Sequence, residues 1–68
     1  MQVAVFVHKE TAARAIIQRA KPLGVSNADI AKHGRIYPVK VRGEMRGYRA
    51  FYPVHDGDNI VRNPIMEN

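Results

Sequence analysis

Apolar residues fill most positions of the first segment, from Gln2 to His8. Val3, Val5 and Val7 fall on one side of an extended chain, and the residues between them, which are also apolar, fall on the other. This pattern predicts a β-strand that is covered on both faces. A helix is the expected cover for one face, and a second copy of the protein is a candidate for the other.

The next segment, residues 10–21, has the period of an amphipathic helix. Its apolar residues recur three and four positions apart and form one stripe, which comprises Ala12, Ala13, Ile16, Ile17, Ala20 and Leu23. Such a stripe predicts a helix that packs on the rest of the protein along one side. We expect Pro22 and Gly24 to end this helix.

A second, shorter helix is predicted from the residues around Ser26. Ser26 is a favourable N-cap, Asp29 stands at the third helical position, and Val25 can pack on Ile30 across the first turn. Gly34 is expected to end the helix after about two turns. These signals are those of a capping box combined with a hydrophobic staple.

Residues 35–54 carry the strongest hairpin signal, because runs of β-branched and aromatic residues flank two glycines. We expect the turn to span Gly43 to Gly47, which pairs Arg42 with Tyr48. One face of the hairpin then carries Val39, Val41 and Phe51. The other face, which we expect to be exposed to solvent, carries Lys40, Arg42, Tyr48, Ala50 and Tyr52. This register separates the apolar from the basic side chains, and a slip of one residue would mix them.

After the hairpin the hydrophobic period is lost. Residues 55–58 predict a turn, and residues 59–68 are expected to form a loosely ordered tail. The chain is expected to be a single small domain, residues 1–68, of the α+β class. The predicted order is strand, helix, short helix, strand, strand. The first strand joins the hairpin in a three-stranded antiparallel sheet, and the main helix packs on one face.

The net charge is concentrated in one stretch. Between Lys32 and Arg49 six basic residues and one acid give +5, whereas the rest of the chain carries five basic and five acidic groups. A localised positive surface with aromatic side chains is typical of proteins that bind polyanions. The candidate binding residues are Lys32, Arg35, Lys40, Arg42, Arg46, Tyr48, Arg49 and Tyr52. Basic groups of this set would contact phosphates, and its tyrosines would stack on bases.

Several kinds of chemistry have no support in the sequence. The chain has no cysteine, which excludes disulfides and thiolate metal sites and fits a reducing cytoplasm. No apolar stretch reaches the ~20 residues of a membrane span. No Ser/His/Asp set, carboxylate pair or glycine-rich phosphate loop is present, and the acids near residue 57 are better explained by a turn. We therefore expect a non-catalytic protein without a metal or cofactor.

Residues 20–30 have the spacing Ala-x-x-x-Gly-Val-Ser-x-x-x-Ile. With the strand that follows Gly34, this segment resembles the helix-turn-helix and wing of excisionase-type winged DNA-binding proteins, over Ala20 to roughly Phe51. In that family a glycine makes the left-handed turn and a serine caps the recognition helix. The resemblance implies that the major groove is contacted by Asn27, Ala28 and Lys32, and that the wing tip carries Arg42 and Arg46.

Two functions remain open at this point. The first is a non-catalytic module that binds DNA or RNA through the basic, tyrosine-bearing hairpin. The alternative is a protein-binding modulator or inhibitor, of the kind found among phage and mobile-element products, that docks on an acidic surface of a host protein. Either function is compatible with a homodimer formed through an uncovered sheet face.

Overall fold

Two helices and five β-strands account for most of the chain, and the computed structural model describes all residues from Met1 to Asn68. The elements are β1 (Gln2–Val3), α1 (Lys9–Ala20), α2 (Asn27–His33), β2 (Arg35–Val41), β3 (Glu44–Asp56), β4 (Asn59–Pro64) and β5 (Met66–Glu67). One antiparallel sheet has the order β2-β3-β4, β1 pairs with β5, and α1 packs on the larger sheet. The predicted α+β class with a three-stranded antiparallel sheet is confirmed.

The long helix α1 confirms the predicted apolar stripe. Its residues Ala12, Ile16 and Ala20 are buried against the sheet. The α-helix ends at Ala20, and the chain continues as one 3-10 turn, Lys21–Leu23. Gly24 then redirects the chain with a φ of 83°, in the left-handed region where a side chain would be strained.

The short helix α2 begins and ends where the sequence predicts. The Ser26 hydroxyl accepts a hydrogen bond from the backbone N–H of Asp29 at 3.1 Å, which caps the first turn. Ile30 is buried, and the N–H of Gly34 donates to its carbonyl at 2.8 Å. The caps matter because a seven-residue helix has few internal hydrogen bonds of its own.

The core lies between α1 and the middle of β3, and alanines set its thickness. Ala12 and Ala20 of α1 and Ala50 of β3 have a relative exposure of 0 %. Their small side chains allow the helix to approach the sheet closely, and larger side chains fill the surrounding space. The rest of the buried cluster comprises Ala4, Ile16, Val25, Ile30 and Ile65.

The N-terminal strand is shorter than predicted. Only Gln2–Val3 forms a strand, and beyond it Phe6 pairs with Tyr48, each residue donating its N–H to the other's carbonyl at 2.8 Å. Val5 and Val7 are 49 % and 76 % exposed, so the prediction of a long strand covered on both faces is wrong. The physical reason is that β4 and Ile65 occupy that edge of β3 from Ala50 to Asp56, and that α1 already begins at Lys9.

The C-terminal residues 59–68 pair with other strands, which corrects the predicted loose tail. After the predicted turn, at residues 57–58, β4 runs antiparallel to β3, and β5 pairs with β1. Ile65 is 2 % exposed, and it donates its N–H to the Ala50 carbonyl and accepts from the N–H of Ala4, both at 2.9 Å. The third strand of the main sheet is therefore β4 rather than the N-terminal segment.

A two-residue turn, Arg42-Gly43, joins β2 to β3, so the predicted turn over residues 43–47 is wrong. Both turn residues have positive φ, 54° and 80°, and such turns match the right-handed twist of paired strands. A β-bulge then shifts the pairing by one residue between Val39 and Lys40. The alternation of side chains along β2 is thereby brought back into phase with that along β3.

Because of this bulge, the residues predicted to share a face do share it, although the predicted cross-strand pairs are wrong. Pro38 lies opposite Tyr48, a position that the predicted register assigns to Arg42. Val39, Val41 and Phe51 nevertheless share one face, as predicted, because the register differs by an even number of residues along most of the hairpin.

Prolines in the two outer strands interrupt no ladder hydrogen bond. The backbone N–H and carbonyl of Tyr48 both bond to Phe6, on one side of β3. Pro38 faces Tyr48 from the other side, and its backbone nitrogen is therefore directed away from β3. Directly after β4, Ile65 directs its N–H toward β3, and therefore Pro64, the last residue of β4, directs its nitrogen outward. Both positions tolerate a residue that cannot donate.

Gly47 is the glycine that we expect to be least tolerant of substitution. Its φ is 137°, and a Cβ there would lie 2.6 Å from the Phe6 carbonyl oxygen. We expect Gly47→Ala to lower the free energy of unfolding by roughly 3 kcal/mol, because backbone strain alone costs about 1–3 kcal/mol. Gly57→Ala is the control, with a φ of 62° in open space and an expected cost of about 1 kcal/mol. Chemical denaturation measures both, and equal losses would contradict the close approach.

Candidate nucleic-acid interface

Helix α1 covers the hairpin face that carries the two candidate tyrosines. Tyr48 and Tyr52 are half-buried and pack against the core on either side of Ala50. The Lys9 ammonium at the start of α1 lies 5.8 Å from the centroid of the Tyr48 ring. The prediction that this face is exposed to solvent is therefore wrong. Helix α1 packs on this face because the small Ala50 side chain allows a close approach.

The opposite face of the hairpin is buried at Pro53, near the end of β3, but it is exposed around Tyr37 and Arg49 and carries two other aromatic rings. We call it the open face, and its central residues are Arg35, Tyr37, Arg49 and Phe51. Tyr37 lies opposite Arg49, and Arg35 lies opposite Phe51. The rings of Tyr37 and Phe51 meet edge to face with centroids 5.6 Å apart. Tyr37 is 46 % exposed, Arg49 is exposed, and the other two are half-buried.

Sequence reasoning did not include Tyr37 and Phe51 among the candidate binding residues. The alternation along β2 puts Tyr37 on the same face as Val39, and the predicted register puts Phe51 there as well. That face was expected to form the core because it holds more apolar side chains. The signal that could have reversed the choice is Ala50, whose size matches the alanines of α1.

A second group of cations surrounds the end of the hairpin. We call it the hairpin tip, and its cations are Lys40, Arg42 and Arg46, which are all exposed. Arg42 is the only non-glycine residue with positive φ, which costs an L-residue about 1–2 kcal/mol. Arg46 forms an ion pair with Glu44 at 3.7 Å, and both side chains are more than half exposed. Such a pair contributes little to stability, about 0–1 kcal/mol.

Two arginines hold the C-terminal end of α2. Arg35 donates from one terminal nitrogen to the carbonyls of Lys32 and Gly34, both at 2.8 Å. Arg62, on β4, donates from Nε to the carbonyl of His33 at 2.7 Å. These carbonyls lie at the negative end of the helix, where a cation is favourable. Arg35 therefore has a structural contact in addition to its place on the open face.

Helix α2 presents a small exposed surface of its own. Asn27, Ala28 and Lys32, which the winged-helix resemblance assigns to DNA contact, are all exposed, and Asn27 also borders an apolar groove. This α1–α2 groove has a volume of about 390 Å³. Most of its lining is apolar and includes Ala13, Ile16, Ile17, Ile30, Ala31 and Ile36.

The eight residues predicted from the sequence thus occupy four places rather than one. Arg35 and Arg49 lie on the open face, and Lys32 lies at the end of α2. The hairpin tip holds Lys40, Arg42 and Arg46, and the face under α1 holds Tyr48 and Tyr52. Of the basic residues in the hairpin, Arg35 and Arg49 are paired with Phe51 and Tyr37 instead of the predicted tyrosines.

Neither protein-family profiles, curated proteins nor solved structures give a match to this chain. No three side chains of histidine, aspartate or glutamate come close enough together to hold a metal ion. Neither helix has the length and apolar character needed to cross a membrane. The arrangement of charges and rings on the hairpin is therefore the feature from which a function can be argued.

The arginine contact at the end of α2 leads to a stability prediction. We expect Arg62→Met to lower the free energy of unfolding by about 1 kcal/mol, because the His33 carbonyl loses its charged donor. Arg49→Met is the matched control, since Arg49 is exposed and makes no hydrogen bond, and its effect should stay within about 0.5 kcal/mol. Urea denaturation distinguishes the two, and an Arg62 variant as stable as the control would contradict the capping role.

Proposed function

We propose that this protein is a small non-catalytic module that binds nucleic acid through its hairpin tip and open face. The observation that carries the proposal is the composition of the tip. Every residue from 40 to 46 is exposed, and this segment holds three cations and a single acid, Glu44. The basic end of the hairpin therefore extends from the helix-packed body as a surface that a polyanion can approach.

The shape of the protein supports this proposal. The principal extents are 39 × 22 × 19 Å, so the chain is elongated rather than spherical. The core packs on the part of the hairpin around Ala50. The tip is at the other end of the two strands, outside the core. A long, narrow positive element is suited to contact several phosphates along a strand of nucleic acid.

The backbone of Arg42 supports the proposal independently. Asn or Gly is the favourable residue at the first position of such a turn, because both tolerate positive φ. Arg42 makes no hydrogen bond or ion pair within the protein, so no internal contact compensates its strained backbone. Strain at an exposed apex without structural compensation is typical of positions that serve binding.

A salt titration tests the proposal with two charge-matched variants. The tip variant combines Lys40→Gln, Arg42→Gln and Arg46→Gln. The control removes the same charge from α1 and the 3-10 turn after it through Arg14→Gln, Arg19→Gln and Lys21→Gln. We expect the tip variant to bind oligonucleotides about tenfold or more weakly, with a salt slope reduced by about 2–3, because each phosphate contact contributes about 0.9. The control should bind nearly as the natural protein does.

Fluorescence polarisation at two or more salt concentrations measures both quantities. Equal weakening in the two variants would mean that the hairpin tip has no special role. Absence of binding by the natural protein even at low salt would refute a nucleic-acid-binding function altogether.

A single substitution at Arg42 separates stability from binding. Asn accepts positive φ more readily than Arg, so Arg42→Asn should raise the free energy of unfolding by about 0.5–1 kcal/mol. The same change removes a cation from the tip and should weaken oligonucleotide binding. Thermal denaturation and polarisation are the two measurements. A variant that is less stable than the natural protein would contradict the turn geometry.

A protein-binding modulator is the second candidate function. The observation that favours it is the α1–α2 groove, whose lining includes the exposed Ile17. Arg14 and Lys21 each lie about one helical turn from Ile17. This combination suits an acidic protein segment that inserts an apolar side chain. Binding of an acidic peptide that is lost in Ile17→Lys, together with no affinity for oligonucleotides, would favour this candidate over the first.

A further inference from the structure

The open face carries both aromatic rings and arginines, whereas the hairpin tip carries cations but no aromatic ring. Tyr37, Arg49, Phe51 and Arg35 form a square in which the aromatic residues occupy one diagonal and the arginines the other. Each of the two cross-strand pairs places an aromatic residue beside an arginine on the same surface. Neighbouring rings and cations match the neighbouring bases and phosphates of a nucleotide chain.

We propose that the open face is a stacking site for unpaired bases, so that the protein binds single-stranded nucleic acid in preference to duplex. This inference rests on the proposed function and assigns the class of ligand. A ring must reach the flat side of a base in order to stack, and in a duplex those sides are covered by the neighbouring base pairs. Tyr37, 46 % exposed, offers such a surface, with Phe51 supporting it edge to face.

Continuity between the two surfaces supports the same ligand. Val39 and Val41 extend the open face from Tyr37 toward the tip, and Val41 is 46 % exposed. A flexible single strand can follow this path, placing bases against the apolar side chains and its backbone against the cations. A rigid duplex can meet the tip but cannot apply its base faces to the sheet.

Charge argues against a second copy of the protein as the occupant of this face. The only acid between Arg35 and Phe51, Glu44, is already paired with Arg46, and Arg35 and Arg49 have no acidic partner. A symmetric dimer through the open face would bring two positively charged surfaces together, which is unfavourable. A polyanion neutralises the same groups.

The test compares three labelled probes of equal length: a single-stranded oligonucleotide, a duplex, and a strand of abasic sugar-phosphate units. The natural protein should bind the single strand roughly tenfold more tightly than either other probe, because only that probe can stack. Tyr37→Leu should abolish this preference by lowering the affinity for the single strand to that for the duplex. Tyr37→Phe, which keeps the ring, should retain it.

Nuclear magnetic resonance of the aromatic side chains gives a readout that does not depend on a variant. Addition of the single strand should shift the ring signals of Tyr37 and Phe51 more than those of Tyr48 and Tyr52. Larger shifts at Tyr48 and Tyr52 would overturn the inference, and so would equal affinity for all three probes.

The other outcomes separate this inference from the function on which it rests. Equal, salt-dependent binding of all probes would refute base stacking but leave nucleic-acid binding intact. No binding of any probe would refute both. A dimer in sedimentation that dissociates in Tyr37→Leu would show that a second copy occupies the open face, which also overturns the inference.

Discussion

The β-bulge near the hairpin tip determines what each face of the hairpin contacts. A two-residue turn fixes the pairing at its apex, and without the bulge Tyr37 would lie opposite Tyr48 and Ile36 opposite Arg49. With the bulge, Ile36 faces Ala50 beneath α1, and Arg49 faces Tyr37 on the uncovered side. The packing of the core and the composition of the open face therefore depend on the same irregularity in one strand.

How far the sequence predicts this structure depends on the range of the interactions involved. Ser26 and the glycines around α2 act within a few residues, so both helices could be located from their local pattern. Periodicity also sorted the hairpin residues into two sets, but it did not say which set faces the helix. The set with Phe51 is the more apolar, whereas the small Ala50 is what allows α1 to pack between Tyr48 and Tyr52.

Contacts between distant segments account for the remaining differences. Arg62 reaches the end of α2 across 29 residues of sequence, and Ile65 joins the core through backbone pairs that no local pattern indicates. The basic residues consequently have different roles in the structure. Arg35 and Arg62 hold α2, whereas Arg42 and Arg49 make no hydrogen bond with the rest of the protein and remain available for a ligand.

The outward-facing prolines have a consequence for aggregation. Sheets with bare outer strands recruit further strands, which is how many amyloid assemblies grow. Here Pro38 on one outer strand and Pro64 on the other leave a gap where an incoming chain would need a donor, and Lys40 adds charge beside the first. A chain that exposes apolar residues such as Val7 and Met45 is thereby protected from edge-to-edge polymerisation.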